Sequence, residues 1–358
     1  MSARRADLLR MRRLAHALDG DRETSPTAVV DRLLAVQAQD FGAACFALAV
    51  RTERPSRAEV LAELDAGRIV RSWPMRGTLH FVPARDLGWM LALTSERMVA
   101  GLAARQRALD LGPADFDRAR DLVTAALEGG RSIDRASLMD LWEAGGVSTA
   151  GQRGYHLIYY LAQIGVLCWG PTHRTQQSLV LLDEWVTDPR SLEPDEAWAE
   201  FLYRYLAGHG PATIADFVWW TKGTVAGAKR GLAVLGDAVS SFTVDGIDYW
   251  VTAELADRAA GAPVSRAERE AVHLLPGFDE YLLGYRDRGP VLDPEHFDRI
   301  VPGGNGVFAP IIVAGGRVVG TWRRRPDGSV EPAPFDPLSA TRQRAVDRAA
   351  EAYRRYLA

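Results

Sequence analysis

The segment SRAEVLAELDAG, residues 56–67, leads directly into RIVRSWPMRGTLHFVP, residues 68–83. The first part begins with a serine that can cap a helix, and it ends at Gly67, a residue type that often stops one. In the second part apolar and polar residues alternate around a turn region at 74–77, which predicts a β-hairpin. A helix followed at once by a hairpin is how a winged helix ends, with a recognition helix and then a wing.

Helices followed by a hairpin return twice further along the chain. Each later copy has two helical segments and then a strand–turn–strand pattern, although the spacing is not fixed. The second copy consists of IDRASLMDLWEA (133–144), TAGQRGYHLIYYLAQI (149–164) and LCWGPTHRTQQSLVLL (167–182). The third consists of TIADFVWWTK (213–222), TVAGAKRGLAVLG (224–236) and VSSFTVDGIDYWVTA (239–253), whose Asp-Gly pair is a strong hairpin turn.

Strand and turn patterns dominate after about residue 260. Gly-Gly at 315–316 and Asp-Gly at 327–328 predict further hairpins, and a helical segment from about Ser339 to Tyr356 follows. We therefore predict an α+β fold with three tandem winged-helix domains followed by a small β-barrel-like domain. The predicted domains are residues 1–118, 119–190, 191–262 and 263–358.

The composition is that of a globular protein, with 47% hydrophobic and 25% charged residues among 358. No apolar run approaches the roughly 18 residues needed to cross a membrane, and the basic N-terminus lacks the apolar core of a signal peptide. The two cysteines, Cys45 and Cys168, lie in apolar contexts and predict buried free thiols in a reducing compartment. We expect a cytoplasmic protein that is associated with the nucleoid if it binds DNA.

The string Gln37-Ala38-Gln39-Asp40 ends the second predicted helix. On an ideal helix, residues two apart point to opposite faces, at about 100° per residue. The two glutamines share a face only if the chain becomes extended there. An amide both donates and accepts hydrogen bonds, so such a pair can hold a water molecule or a base edge. The plainer alternative is a polar helix end that satisfies local backbone groups.

Four residues of the first hairpin are candidates for contact with DNA: Trp73, Arg76, Thr78 and His80. Residues of the same parity project to one side of a strand, so Arg76, Thr78 and His80 can face together. On a wing they would contact phosphates or a groove. Alternatively, the hairpin packs on a neighbouring domain and His80 is a hydrogen-bonded, partly buried imidazole. The sequence leaves both interpretations open.

Polar residues on the other predicted recognition helices and wings are candidate phosphate ligands. They are Gln152, Arg153 and His156 with Arg174, Gln176 and Gln177 in the second copy, and Lys222, Lys229 and Arg230 in the third. The alternative for each of them is an ordinary solvated face. The net charge of −3 disfavours nonspecific coating of nucleic acid but permits a local basic surface.

Several enzyme classes lack their signatures in this sequence. It contains no Ser-His-Asp order, P-loop, dinucleotide-binding glycine pattern or zinc-ligand spacing, and its 7 histidines form no HxH or HxxxH pair. We therefore predict neither a metal nor a nucleotide cofactor. The stretch GFDEY at 277–281, followed by Arg286-Asp287-Arg288, contains acidic residues that could suggest catalysis. Because Asp287 lies between two arginines, an ion-pair network in the β-rich domain is favoured instead.

Four segments together resemble the AlkZ/YcaQ family of winged-helix DNA glycosylases, and the resemblance covers nearly the whole chain. They are LLAVQAQD (33–40), RSWPMRGTLHFV (71–82), LLPGFDEYLLGYRDR (274–288) and NGVFAPIIVAGGRVVGTWRR (305–324). The resemblance implies three winged helices around a concave channel for double-stranded DNA, and a small β-barrel.

The same resemblance implies an active site. The AlkZ branch of the family carries a catalytic Gln-x-Gln motif, matched here by Gln37 and Gln39, whereas the YcaQ branch has Gln-x-Asp. Asp40 is a weaker candidate for electrostatic stabilisation. The implied reaction is excision of N7- or N3-alkylated purines, including bulky adducts or interstrand crosslinks made by alkylating natural products, in general repair or in self-resistance.

Two other classes of protein remain as alternatives. A non-catalytic winged-helix transcription regulator is one, although such regulators are commonly dimers and this chain has no evident dimerisation helix. Three units in one chain can hold DNA as a monomer, which is the state that we expect. A protein-interaction scaffold that has lost DNA binding is the other, and the negative net charge is compatible with it.

Overall fold

The computed structural model describes residues 3–173, 176–261 and 265–357. It is a mixed fold of helices and antiparallel sheets, divided into two compact units. The first unit joins Met1–Val60 to Trp198–Ala358, and the second unit is Leu61–Ala197. The four sequential domains predicted from the sequence do not map one to one onto these units, so their boundaries stay a prediction.

The described ranges contain both helices and short strands. The helices are α1 (Ala3–Ala15), α2 (Pro26–Leu33), α3 (Phe41–Ala49), α4 (Arg57–Asp65), α5 (Leu87–Ala100), α6 (Ala103–Ala108), α7 (Pro113–Leu127), α8 (Arg135–Ala144), α9 (Arg153–Gln163), α10 (Leu182–Trp185), α11 (Pro194–His209), α12 (Ile214–Thr221), α13 (Val225–Leu235), α14 (Ala253–Ala260), α15 (Arg266–Glu270), α16 (Glu280–Leu283), α17 (Phe297–Ile300) and α18 (Ala340–Leu357). The strands are β1 (Val36–Gln37), β2 (Ile69–Met75), β3 (Thr78–Pro83), β4 (Leu167–His173), β5 (Gln176–Leu181), β6 (Val239–Val244), β7 (Ile247–Thr252), β8 (Val272–Leu275), β9 (Ile311–Ala314), β10 (Arg317–Arg324) and β11 (Val330–Pro334). None of the described helices is both long and apolar enough to cross a bilayer.

The hairpins that the turn residues predict are present. Helices α4, α9 and α13 are each the last helix before a hairpin, formed by β2–β3, β4–β5 and β6–β7 respectively. Helices α3 and α5 to α7 were not predicted from the sequence, although the buried Phe116, Ala119, Val123 and Leu127 of α7 do follow a helical stripe.

In the second unit, the hairpin of β2 and β3 turns through Arg76 and Gly77, whose φ angles are 57° and 73°. Two consecutive positive φ values give a turn whose twist matches that of the two strands. The strands pair in the antiparallel order β3-β2-β4-β5. A hydrophobic core that includes the fully buried Trp73 and Trp142 packs beside this sheet.

In the first unit, α11, α12 and α13 precede the hairpin of β6 and β7. The hairpin turns through Asp245 and Gly246, again with two positive φ values of 50° and 80°. Gly231 allows α13 to lie close to α11, because a Cβ at this position would be 2.7 Å from the carbonyl oxygen of Trp198. The side chains of α13 that point away from α11 are therefore left for the surface.

The C-terminal strands form an antiparallel sheet in the order β11-β10-β9-β8. Its turn at Gly315 and Gly316 has positive φ at both residues, as the sequence predicts. Within the described residues no ladder joins β8 to β11, so the sheet is open, and the barrel-like closure is not confirmed. The last helix, α18, agrees with the predicted helix to within one residue at each end.

Candidate active site at the Gln37–Asp40 segment

Helix α2 ends earlier than the sequence predicts, and this early end shapes the Gln37–Asp40 segment. Its last residue is Leu33, because Leu34 has φ 61° and ψ −43°. The Ala35 N–H donates to the Leu33 carbonyl across this tight turn, at 2.8 Å. A leucine at positive φ is strained and persists only where packing holds it, and Leu34 is fully buried. The prediction that α2 continues to Gln37 is therefore wrong.

The chain beyond the turn is extended. Val36 and Gln37 form β1, and Ala38 follows without helical structure. Val36 and Ala38 are fully buried, whereas Gln37 is half-buried and Gln39 is exposed. Because side chains alternate along an extended chain, this pattern places both glutamine side chains on the side away from the core. The structure thus meets the condition under which the two amides can act together.

Asp40 has a structural role of its own. It is the N-cap of α3, and its Oδ1 accepts a hydrogen bond from the Ala43 N–H at 2.9 Å. The residue is exposed. A carboxylate at this position satisfies one of the unpaired amides at the start of the helix and complements its dipole. The same carboxylate lies next to Gln39 in the chain and is therefore part of the candidate site.

A buried carboxylate lies behind the motif. Glu280, which is 1% exposed, accepts a hydrogen bond at Oε1 from the Gln37 N–H, at 2.9 Å. Its Oε2 accepts from the Trp220 indole N–H at 2.8 Å and lies 3.6 Å from Nε2 of His209. The last distance is too long for a hydrogen bond, so His209 contributes a polar contact only. The backbone of the motif is thus bonded to a carboxylate 243 residues away in the chain.

The sequence analysis missed Glu280, Trp220 and His209. The sequence GFDEY at 277–281 offered a weak signal, since two adjacent acidic residues in an apolar context must find partners if they are buried. The two flanking arginines favoured Asp287 instead. Asp287 is exposed, and its Oδ1 accepts a hydrogen bond from the Gly289 N–H at 2.9 Å. This contact is a local turn and not the ion-pair network that the sequence predicts.

The buried ion pair of this region joins Asp279 to Arg51. The guanidinium binds both carboxylate oxygens, at 2.8 and 2.7 Å. It also donates to the carbonyl oxygens of His16 and Ala47, at 2.9 and 2.8 Å. Asp279 in turn caps α16 through a hydrogen bond from the Tyr281 N–H at 2.9 Å. This pair therefore links the chain just after α3 to the start of α16, which carries Glu280.

Three buried histidines make the stability of the protein depend on pH. Burial lowers the pKa of His16 well below its ordinary value of 6.5, and the electrostatic interactions of its ring with His209 and with the Arg51 guanidinium lower it further. Burial also lowers the pKa values of His156 and His273. In the unfolded chain these groups bind a proton below 6.5, whereas in the folded chain they stay neutral until a lower pH.

We therefore expect thermal stability to be constant above about pH 7 and to fall as the pH drops below about 6.5. Each buried neutral histidine contributes up to about 1.4 kcal/mol per pH unit in that window. The melting temperature measured at about pH 7.5 and about pH 5.5 checks this, and His16→Gln should make the change smaller. A melting temperature that rises or stays constant on acidification contradicts this explanation.

Trp73, which the sequence predicts as a DNA contact, lies in the hydrophobic core instead. It is fully buried, and its ring packs edge-on against Tyr155 and Tyr159 at centroid distances of 6.1 and 5.5 Å. Its carbonyl accepts a hydrogen bond from the Gln163 side chain at 2.5 Å. Alternation along a strand does not tell which side faces the core, and the large apolar ring takes the buried side. Trp73 is thus a core residue in this structure.

The other three hairpin candidates do lie together. Nη2 of Arg76 is 2.9 Å from Nε2 of His80, and Nδ1 of His80 is 2.8 Å from the carbonyl oxygen of Thr78. This arrangement requires a neutral His80 that donates from Nδ1 and accepts at Nε2. His80 is fully buried, as in the alternative that makes it a satisfied imidazole, whereas Arg76 and Thr78 are half-buried.

In the second copy, internal contacts occupy most of the predicted ligands. Arg153 donates to the carbonyl oxygens of Ser148 and Leu109, at 3.0 and 2.6 Å, and pairs with Asp115 at 3.2 Å. His156 is 6% exposed, which corrects its expected position on a DNA-facing surface. Gln152 is exposed and accepts from Arg105 at 2.7 Å. Of the predicted wing residues Gln176 is exposed and Gln177 buried, and Arg174 lies outside the described residues.

The third copy presents its predicted cations at the surface. Lys229 and Arg230 are exposed on α13, outside the helix face whose glycines pack against α11. Lys222 is exposed at the end of α12, where its φ of 54° terminates that helix. We call these three residues the α13 basic surface. They lie in the same unit as the Gln37–Asp40 segment.

No group of three or more His, Cys, Asp or Glu side chains arranged to hold a metal occurs in the described ranges. Cys45 and Cys168 are buried and unpaired with each other, and burial raises the pKa of the Cys168 thiol. The candidate site is therefore built of two amides, with a capping carboxylate beside them and a buried carboxylate behind them.

Comparison with known proteins gives consistent matches over nearly the full length. A family model described as "DNA glycosylase AlkZ-like" matches residues 30–356. The interstrand DNA cross-link repair glycosylase of Streptomyces sahachiroi is 30% identical over 344 residues, which covers 91% of this chain and 90% of that protein. The structure of the Streptomyces sahachiroi DNA glycosylase AlkZ matches 99% of this chain and 96% of that chain, with a TM-score of 0.83 and 28% identity.

Proposed function

Because the chain belongs to the AlkZ-like DNA glycosylase family, we propose that it hydrolyses the N-glycosidic bond of N7- or N3-alkylated purines in duplex DNA. It is an enzyme of DNA repair, a hydrolase that acts on N-glycosyl bonds. The observation that carries the proposed site is the extended Gln37-Ala38-Gln39 segment, in which the small middle residue is buried and both amides are directed away from the core.

The chemistry of the leaving base explains why two amides are enough. Alkylation at N7 or N3 gives the purine a positive charge, so the base departs as a neutral molecule and needs little help from an acid. Glycosidases that expel a sugar oxygen differ, since they protonate it with a carboxylic acid. The remaining tasks are to hold the attacking water and to stabilise the positive charge that develops on the deoxyribose. Amide oxygens of Gln37 and Gln39 supply both, and Asp40 adds negative charge beside them.

We propose that the chain contains three winged helices, each made of helices followed by a hairpin. They lie within residues 1–118, 119–190 and 191–262, and the β-rich domain follows at 263–358. Their recognition helices and wings would hold double-stranded DNA. The α13 basic surface supports this assignment, because exposed cations on a helix that precedes a wing suit contact with phosphates. We further propose that the protein acts as a monomer on DNA in the bacterial nucleoid.

Bulky adducts and interstrand crosslinks belong to the same proposal. The similar Streptomyces sahachiroi protein is described as an interstrand DNA cross-link repair glycosylase. A site that encloses a fully extruded base excludes crosslinked purines, because such a base stays tied to the opposite strand. An exposed Gln39 on an extended segment is compatible with a base that is not fully extruded. Membership in a glycosylase family does not favour the transcription-regulator alternative.

A matched pair of substrates tests the role of the leaving-group charge. Duplexes that carry N7-methylguanine or its 7-deaza-7-methyl isostere have the same shape, but only the first has a cationic base. We expect free base from the first duplex alone, detected by mass spectrometry, and similar affinity for both. Release from the uncharged isostere at a comparable rate contradicts the proposed substrate class, and a crosslinked duplex then tests the bulky-adduct part separately.

DNA affinity should depend on salt through the α13 basic surface. Each neutralised phosphate contributes about 0.9 to the slope of log K against log salt. We expect Lys229→Ala to weaken binding of any duplex sequence and to reduce that slope by about 1, between about 50 and 200 mM salt. Arg120→Ala is the control, since Arg120 is exposed but already paired with Asp117 at 3.1 Å. Equal slopes for wild type and Lys229→Ala rule out a phosphate contact at this lysine.

A further inference from the structure

The candidate site leaves one buried charge-bearing group without a role. Glu280 is 1% exposed, and its two oxygens take hydrogen bonds from the Gln37 N–H and from the Trp220 indole. Burial of a carboxylate is costly unless donors satisfy it. A glutamate that only filled space here would be replaced more cheaply by an apolar residue, so its contacts need an explanation of their own.

The contact at Gln37 has a specific consequence. In an extended segment the backbone direction sets where each side chain points, because successive side chains alternate about the backbone. The hydrogen bond of 2.9 Å at the Gln37 N–H therefore constrains the orientation of the segment about its own axis. On the other side of the residue, Ala38 is fully buried and the strained Leu34 turn precedes it.

We propose that Glu280 is a positioning residue of the glycosylase site, which holds the backbone of Gln37 and thereby aims the amides of Gln37 and Gln39 at the reacting sugar. The inference rests on the proposed function of those two glutamines. Glu280 does not touch the substrate in this scheme. It acts through Gln37, and Trp220 fixes the second oxygen of the carboxylate so that the first one keeps its direction.

The pairing of one carboxylate with two N–H donors gives a sharp isosteric test. A glutamine at position 280 has one oxygen and one NH2 group, so either the Gln37 N–H or the Trp220 N–H must face a donor. We expect Glu280→Gln to lower the single-turnover rate of base release by about 10- to 100-fold, by analogy with the loss that is typical when a partner that orients a metal ligand is changed. The dissociation constant for DNA should stay within about threefold, because the DNA-binding surface is unaltered.

A double-mutant cycle separates positioning from general damage. If Glu280 acts through Gln37, then Glu280→Gln should have little further effect in a Gln37→Ala background. A purely structural role predicts that the two losses multiply, and that result overturns the proposal. Asp216→Asn is the matched control, since Asp216 is also 1% exposed and accepts backbone N–H groups, but those of Thr213, Arg286 and Asp287. It should lower the melting temperature and leave the rate unchanged.

The outcomes also separate this inference from the proposed function. If Gln37→Ala and Gln39→Ala keep the wild-type rate, the assigned active site fails. If Gln37→Ala slows base release but folded Glu280→Gln does not, only the positioning role fails. Should Glu280→Gln not fold, Trp220→Phe removes one of the two donors and takes its place in the same cycle. A rate loss for Trp220→Phe that multiplies with that of Gln37→Ala then overturns the proposal.

Discussion

Arg51→Met is expected to lower the free energy of unfolding of the first unit by about 3–5 kcal/mol, the cost of leaving one partner of a buried ion pair uncompensated. Arg51 and Asp279 are both almost fully buried. The guanidinium donates hydrogen bonds to the carboxylate and to two backbone carbonyl oxygens. Methionine fills the volume of the side chain but leaves the carboxylate without its cation. Thermal unfolding should shift down by roughly 6–20 °C for a unit of this size.

An exposed ion pair of equal length provides the control for Arg51→Met. Arg323 and Glu331 are 2.7 Å apart, the same distance as the shorter contact of the buried pair, but the arginine side chain is 75% exposed. Water and salt screen such a pair, so Arg323→Met should leave the melting temperature nearly unchanged. Two results contradict this prediction: an equal loss of stability in the two variants, or an Arg51→Met protein that unfolds at the wild-type temperature. Either result would mean that burial does not set how much an ion pair contributes to the free energy of unfolding.

Gln39→Ala and Gln37→Ala are expected to slow base release by about 100- to 1,000-fold, the typical loss when one hydrogen-bonding group is removed from a preorganised site. The loss is at the lower end of that range if the cationic base departs with little help, since alkylation has then already removed much of the barrier. DNA affinity should change little, because neither amide is needed to hold the phosphates. Single-turnover rates and a separate binding titration distinguish the two effects.

Two conservative substitutions refine this prediction. Gln39→Asp creates the Gln-x-Asp pattern of the YcaQ branch, so it should keep part of the activity and change which adducts are released. Asp40→Asn tests the neighbouring charge, because asparagine can also cap α3 and the helix should persist. A loss of activity in Asp40→Asn with normal stability assigns the carboxylate to catalysis, whereas wild-type activity limits Asp40 to the capping contact with Ala43.

The hairpins could be predicted because their cause is local. Asp245 and Gly246 take two positive φ values in succession, and an Asp-Gly pair, which tolerates this conformation, is visible in the sequence. At Arg76 and Gly77 only the glycine does so, and there the alternation of the flanking strands predicted the hairpin. The end of α2 could not be predicted, because nothing in the string Leu-Leu-Ala-Val departs from a helical pattern. Leu34 takes its positive φ because the surrounding core holds it, and that core is assembled from distant parts of the chain.

The sequence also did not predict which face of a helix or strand is buried. Trp73, His80 and His156 have the right spacing for a DNA-facing surface, yet all three are buried, because alternation gives the period of burial and not its direction. Gln37 and Gln39 were identified through the family resemblance, and the structure shows that the backbone around Gln37 is extended. The contact from Gln37 to Glu280 spans 243 residues and follows no local pattern.

The most direct test of this account is the single-turnover release of free N7-methylguanine from a duplex by the wild type and by a Gln37→Ala/Gln39→Ala variant, with both proteins saturating the DNA. Because the two amides act on one reaction as a unit, the double variant should release base at least about 100-fold more slowly than the wild type, and only slightly more slowly than either single variant. Free base from the double variant at the wild-type rate, with equal DNA occupancy, would contradict the assignment of catalysis to Gln37 and Gln39.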